Sequence, residues 1–292
     1  IKNNSIGLNF IDIYHRTGLY PIPLPSGIGL EACGQIEEIG SEVNLFKVGD
    51  RVTHASMPIG AYSEKQVVPE EKLILVPDGI SDEVASCITL KGITAEYLLH
   101  RAYPLKKGDK VLYHAAAGAL GQILCPWANA LGAEVIGTVG SEAKEKIARK
   151  NGCHHVINYS EKDFVKEVEK IVGKNGIDVV YDGVGTKTFK GSIETLKIRG
   201  MMVAFGNASG YVDTLDIKKD INAKGLFFTR PSIAHYTVKR DELVESAKKV
   251  FDAILTKKFI VEISKKYSLK DAAQAHKDLE ARLLTGPAVI IP

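Results

Sequence analysis

Apolar residues recur along the chain with two different rhythms. Up to about residue 90 they come in short runs, FKVGDRVTH, AYSEKQVVP and KLILVPDGI among them, marked by Gly-Asp, Pro-Glu and Pro-Asp breaks. Short β-type runs interrupted in this way predict an antiparallel, twisted and irregular β-domain. The opening IKNNSIGLNF reads as the second half of a strand, so a segment ahead of Ile1 is expected. From about Leu90 the rhythm lengthens to strand, turn, helix. KVLYHA predicts a buried strand and ALGQILCPWANALG a helix; AEVIGTVG and EAKEKIARKNG repeat the pair. HHVINY with DFVKEVEKIVGK and IDVVYDGVG with FKGSIETLKIRG repeat it twice more, and MMVAFG makes a fifth strand. Such alternation predicts βαβ units around a parallel sheet, and right-handed crossovers make that sheet doubly wound.

Near the end, RDELVESAKKVFDAILTKK has the spacing of a long amphipathic helix. VEISKKYSL, a helix over DAAQAHKDLEARLL, and PAVIIP follow it, in the style of the first 90 residues. The expected organisation is therefore α/β. A nucleotide-binding domain spans residues 91–258, and a discontinuous β-domain is built from residues 1–90 and 259–292.

Composition adds limits. With 292 residues, 45% of them hydrophobic, the chain is ordinary globular protein with room for two domains. A net charge of +3 with no dense Lys/Arg block argues against nucleic acid or an anionic membrane as the main partner. No apolar run is long enough to predict a membrane span. The four cysteines, Cys33, Cys87, Cys125 and Cys153, form no C-x-x-C pair. Free buried thiols in a reducing compartment, and so a cytoplasmic location, are expected.

Candidate chemistry centres on HAAAGALGQ, His114 to Gln122, between the first parallel strand and its helix. Gly118 lets backbone approach a pyrophosphate, with Ala119 and Leu120 leading into the helix, and Gly121 lets helix and strand pack closely. Ala116 replaces the glycine of the tight turn. The helix N-terminus offers free N–H groups to phosphate. An NAD site places Asp or Glu about 20 residues further on, at the end of the second strand. Here that end reads IGTVGS, with Gly140 and Ser141 and no acid between Glu134 and Glu142. A small neutral strand end leaves room for a 2′-phosphate, so NADPH is the expected cofactor. Lys144 either pairs with that phosphate or is a solvated helix lysine. Tyr159 can donate a phenolic hydrogen bond, and Arg149 is a weaker candidate.

Together NFIDIYHRTGLYP, LPSGIGLEACGQIEEIG, VGDRV, LKGITAEYLL, HAAAGALGQ and FGNASG resemble the zinc-free quinone oxidoreductases. These belong to the medium-chain dehydrogenase/reductase superfamily and include zeta-crystallin. The resemblance implies a GroES-like β-domain beside a Rossmann domain, and it makes A-A-x-G-x-x-G the family's own form of the loop. Zinc enzymes of the superfamily carry Cys where Asn9 stands and His where Leu30 stands in Gly29-Leu30-Glu31, so no metal is expected. Cys33 and His54 make only a makeshift pair without a third ligand. Quinones and conjugated enones accept hydride without a Lewis acid, which suits such a site.

By the same resemblance Asn9 orients the substrate or cofactor. Tyr14 either donates to a developing oxyanion or packs in the core, and Asp12 borders the site or holds the loop. Lys91, Thr94 and Tyr97 reach the nicotinamide side or serve packing. Gly183 in YDGVG, and Phe205, Gly206 and Asn207 in FGNASG, border the cofactor. Phe228 and Thr229 meet its carboxamide from a strand whose edge, Leu226 to Arg230, is the expected homodimer contact. Arg282, in the last helix, touches the cofactor or is solvated, and His276 lies on a polar helix. The expected activity is NADPH:quinone oxidoreduction, acting on a quinone or another small electrophilic acceptor. The alternatives are an enone or enoyl reductase and a non-enzymatic NADPH- or RNA-binding, crystallin-like protein.

Overall fold

Short apolar runs at the start of the chain do form strands in the computed structural model, which describes residues 1–292. The early elements are β1 (Lys2–Gly7), α1 (Phe10–Arg16), β2 (Glu31–Gln35), β3 (Arg51–Ala55), β4 (Ile74–Leu75) and α2 (Asp82–Tyr97). The alternating middle runs β5 (Lys110–His114), α3 (Gly121–Ala130), β6 (Glu134–Val139), α4 (Glu142–Lys150), β7 (His155–Asn158) and α5 (Phe164–Val172). It continues with β8 (Ile177–Asp182), α6 (Phe189–Thr195), β9 (Leu196–Ala204) and β10 (Phe227–Thr229). The last elements are α7 (Ile233–Tyr236), α8 (Arg240–Leu255), β11 (Lys265–Ser268), α9 (Ala272–Glu280) and β12 (Ala288–Ile291). No helix is long and apolar enough to cross a membrane.

Two compact units result, Ile1–Ile93 with Tyr236–Pro292, and Thr94–His235. The first holds a sheet of order β11-β12-β1-β2-β3-β4. Its β1 pairs antiparallel with β12, Ile6 opposite Ile290, which ties the C-terminal strand to the first residues. Ile6, Leu8, Ala32, Ala288 and Ile290 share one apolar cluster there. The second unit holds a six-stranded sheet of order β10-β9-β8-β5-β6-β7. Every pairing in it is parallel. Its order reverses between β5 and β8, the switch point beside which doubly wound sheets take their ligands.

Three expectations shift. Helix α8 goes with the first unit and not with the nucleotide-binding one, so the second boundary falls at 235/236 and not at 258/259. Packing decides it: a Cβ on Gly92 of α2 would lie 2.4 Å from Val250 Cγ1 of α8. Arg240, at the head of α8, donates to the carbonyls of Glu70, Glu71 and Leu73. The expected helix FKGSIETLKIRG stops at Thr195, because Leu196 already pairs with Ile177 of β8 and Lys197 forms an ion pair with Asp178. Helix α9 ends at Glu280, short of the expected end near Leu284.

The α2–α8 contact is testable. Alanine favours a helix over glycine by about 1 kcal/mol, but overpacking a tight contact costs about 1–3 kcal/mol. Gly92→Ala is therefore expected to lower the urea midpoint, and Val250→Ala in the same chain to restore part of it. Equal midpoints for Gly92→Ala and the parent would refute the tight contact.

Candidate functional site

At the end of β5 the chain turns through Ala115, whose φ of 61° lies in the left-handed region. The Ala116 N–H donates to Thr138 O on β6 at 3.0 Å, and the Gly118 N–H donates to Ala115 O at 2.8 Å. A Cβ on Gly121 would lie 2.4 Å from Ala116 O, so only glycine lets α3 start this close to the strand. The residue that replaces the usual first glycine is accommodated across the sheet. A Cβ on Gly137 of β6 would lie 2.6 Å from the Ala116 methyl and 2.8 Å from Cys153 Sγ. The methyl on the loop thus occupies space left by a missing side chain on the neighbouring strand. No backbone carbonyl takes the amides of Ala119, Leu120 and Gly121. They are the donors that the first turn of α3 leaves over, which suits an anion.

The residues expected to choose between phosphorylated and plain ribose meet at one corner. Ser141 caps α4, its Oγ accepting the Lys144 N–H at 3.4 Å. The Tyr159 phenol lies over Gly140, where a Cβ would be 2.7 Å from the hydroxyl oxygen, and Tyr159 is 43% exposed. Arg149 is turned instead to Glu145 on its own helix, at 2.7 Å.

A network that sequence reasoning missed joins the two sides of the switch point. Buried Asp182, at the end of β8, accepts the N–H groups of Val184 and Gly185 at 2.8 and 3.0 Å. Its other oxygen accepts from Thr188 at 2.7 Å and Ser192 at 3.2 Å. Ser192 Oγ is 2.9 Å from His114 Nε2, and His114 Nδ1 is 2.9 Å from Thr138 Oγ1. Burial lowers the His114 pKa, against the opposing charge of Asp182. The signal that could have found Asp182 is an acid directly after the apolar run Val179-Val180-Tyr181, at the carboxyl end of the strand. Beyond it, Gly183 and Gly206 pack backbone on backbone: a Cβ on Gly206 would lie 2.5 Å from Gly183 O. The Phe205 ring covers Gly183 and stacks on Tyr113, and Asn207 is buried. Phe228 meets Phe189 edge to face, and Thr229 pairs in register with Val203. Tyr97 is 2% exposed, with Thr94 one turn earlier on α2.

The first unit assembles its own polar cluster around the start of α1. Asn9 Nδ2 donates to Glu31 Oε2 at 2.8 Å, and Lys91 Nζ donates to Asn9 Oδ1 at 2.5 Å and to Leu8 O at 3.3 Å. Burial pushes the Glu31 carboxyl up, and Lys91, Asn9 and the Leu90 N–H pull it back. Asp12 is fully buried; its Oδ2 accepts the Asn9 N–H at 2.9 Å and the Tyr62 hydroxyl at 3.2 Å, while Oδ1 has no partner. Burial pushes Asp12 up to about 7, against the pull of those two hydrogen bonds. Tyr14 packs edge to face on Tyr20.

His276, expected on a polar helix, is 3% exposed because α9 turns it onto Tyr62. Arg16 can only donate, so its 3.0 Å contact makes His276 Nδ1 the acceptor. In the neutral ring Nε2 then carries the proton and faces the Tyr62 oxygen at 3.0 Å. Arg282 is not in α9: it follows the helix with a φ of 59°, a left-handed position usually taken by glycine. Ala32 pairs with His54 and Cys33 with Thr53, so Cys33 and His54 point to opposite faces of the sheet. No three His, Cys, Asp or Glu side chains gather as metal ligands.

Two family models match, the alcohol dehydrogenase GroES-like domain over residues 1–78 and the zinc-binding dehydrogenase over residues 119–255. A quinone oxidoreductase of Pseudomonas aeruginosa is 44% identical over 293 residues, covering 100% of this chain and 90% of that protein. A 2-haloacrylate reductase of Burkholderia sp is 45% identical over 300 residues, with the same coverage of 100% and 90%. The crystal structure of Escherichia coli quinone oxidoreductase complexed with NADPH is similar at a TM-score of 0.96 and 44% identity, covering 100% of this chain and 90% of that one.

Asp12 makes stability depend on pH. An acid whose folded pKa is raised to about 7 from 3.8 keeps its proton in the folded chain and loses it in the unfolded one between those values. Stability therefore falls as pH rises through that window, by roughly 1.4 kcal/mol per pH unit at most. Asp12→Asn removes the titration and keeps an acceptor for the Asn9 N–H. Its melting temperature relative to the parent is expected to rise from pH 5 to pH 8; a constant difference would show that Asp12 is ionised throughout.

Proposed function

The chain belongs to the zinc-free quinone oxidoreductases of the medium-chain dehydrogenase/reductase superfamily, and we propose on that ground that it oxidises NADPH and reduces a quinone. NADPH supplies the hydride; with one proton from solvent the products are NADP+ and the hydroquinone. The observation that carries the cofactor reading is the corner of Gly140, Ser141, Lys144 and Tyr159, where the strand end has no acid between Glu134 and Glu142 to hold a plain ribose. The unclaimed amides of Ala119 and Leu120 suit the pyrophosphate, beside Gly118.

Each remaining role belongs to a residue of this chain. Gly183, Phe205, Gly206 and Asn207 border the nucleoside, and Phe228 and Thr229 hold the carboxamide. Thr94 and Tyr97 pack beside it. Arg282, at the left-handed position that closes α9, touches the cofactor. Asn9 and Tyr14 donate to the acceptor oxygen as negative charge develops there. Asp12 acts by holding the Asn9 backbone. The residue types at the zinc positions, Asn9 and Leu30, do not suit a metal, and a conjugated acceptor needs none.

The proposal extends to a homodimer through β10. That strand is the edge of its sheet and leaves Phe227 57% exposed. Light scattering is expected to give twice 31.7 kDa for the parent and the single mass for Phe227→Lys; a monomeric parent would remove the dimer from the proposal.

The function is tested by fluorescence titration with NADPH and NADH, then by turnover of 1,2- and 1,4-quinones in the presence of a chelator. Haloacrylates and alkenals belong in the same assay, because one relative carries the name 2-haloacrylate reductase. Tight NADPH binding and chelator-resistant quinone turnover are expected. Lys144→Ala should weaken NADPH about tenfold, or about 1.4 kcal/mol, and leave NADH unchanged. Preference for NADH in the parent would overturn the cofactor, and cofactor binding without turnover of any acceptor would overturn the enzyme.

A further inference from the structure

A side-chain carboxamide has a donating end and an accepting end, and a half-turn exchanges them. Asn9 is not free to make that turn. Its oxygen takes a hydrogen bond from the Lys91 ammonium at 2.5 Å, and its nitrogen gives one to Glu31 Oε2 at 2.8 Å. Lys91 Nζ and Glu31 Oε2 are 3.6 Å apart. All three side chains are buried, Asn9 at 5%, Lys91 at 9% and Glu31 at 0% exposure. A flipped amide would set its NH2 against the ammonium and its oxygen against the carboxylate.

The cluster is held from several sides. Glu31 Oε1 accepts the Leu90 N–H at 2.6 Å, and Lys91 also donates to Leu8 O at 3.3 Å. Glu31 reaches this place only because β1 has a glycine there: a Cβ on Gly7 would lie 2.3 Å from Glu31 Oε2. The backbone of Asn9 is fixed independently, by Asp12. A buried ion pair is a poor stabiliser compared with apolar side chains of the same volume. Stability alone is therefore a weak reason for one at this position.

We propose that Glu31 and Lys91 are positioning residues of the reductase, an ion pair that locks the Asn9 carboxamide in one orientation. The lock leaves the second N–H of Nδ2 pointing in a fixed sense, to donate to the acceptor oxygen that gains charge as hydride arrives. An amide oriented before the reaction need not reorganise during it. The inference rests on the quinone reductase reading, in which Asn9 faces the acceptor.

The test is a mutant cycle on the 292-residue chain, read by melting temperature, NADPH titration, and kcat and KM for a quinone. Lys91→Met or Glu31→Gln alone leaves one charge buried without its partner, and each is expected to lower both melting temperature and kcat. Together they remove both charges, so the double variant should regain melting temperature. Its kcat should stay at least about tenfold down, with KM little changed, because the amide is no longer locked. Lys91→Arg, which keeps the charge, should recover part of kcat. Asn9→Ala should lower kcat in the parent and have no further effect in the double variant. Recovery of kcat along with stability, or the same loss from Asn9→Ala in both backgrounds, would overturn the positioning role. A parent that binds NADPH but reduces no quinone would instead overturn the functional reading beneath it.

Discussion

The second unit depends on one close contact, Gly121 lying against the carbonyl of Ala116. Helix α3 can start where it does only because no side chain stands between it and the strand. From that start its leftover amides lie without a backbone acceptor at the carboxyl edge, where the strand order reverses. Two further close contacts accompany it. Ala116 needs Gly137 opposite its methyl, and the ends of β8 and β9 meet glycine on glycine at Gly183 and Gly206. Small residues on neighbouring strands have to agree before the edge can accept a flat ligand against backbone.

Buried polar groups do the corresponding work of fixing loops. Asp182 accepts from two backbone amides and two hydroxyls, and His114 carries that network back to β6. In the first unit, Asp12 and Glu31 are fully buried acids of different kinds. Glu31 has a cation beside it, whereas Asp12 has only neutral donors and an unpartnered oxygen. Burial pushes both carboxyls up; on Glu31 the strongest opposing pull is the Lys91 charge, whereas on Asp12 it is the hydrogen bonds from Asn9 and Tyr62. One acid confers a pH dependence on the fold; the other orients an amide.

Much of this protein was legible without coordinates. The strand-helix rhythm of the middle, the loop at Gly118 and Gly121, and the neutral strand end at Gly140 and Ser141 are patterns spanning a few to some tens of residues. Such patterns depend on local periodicity and backbone freedom, which neighbouring residues determine. The same holds for the missing zinc ligand types at Asn9 and Leu30. Tertiary structure decided the rest. Helix α8 has an amphipathic pattern that fits either unit, and the Gly92–Val250 contact chooses. Arg282 reads as helical by propensity but sits past the end of α9 with a positive φ. His276 reads as polar surface, yet it joins Arg16, 260 residues away, inside the first unit. The locking of Asn9 by Glu31 and Lys91, 22 and 82 residues distant, has no local signature. A side chain's burial and partners follow from which segments the fold brings together, and a linear pattern records only the faces that must be covered.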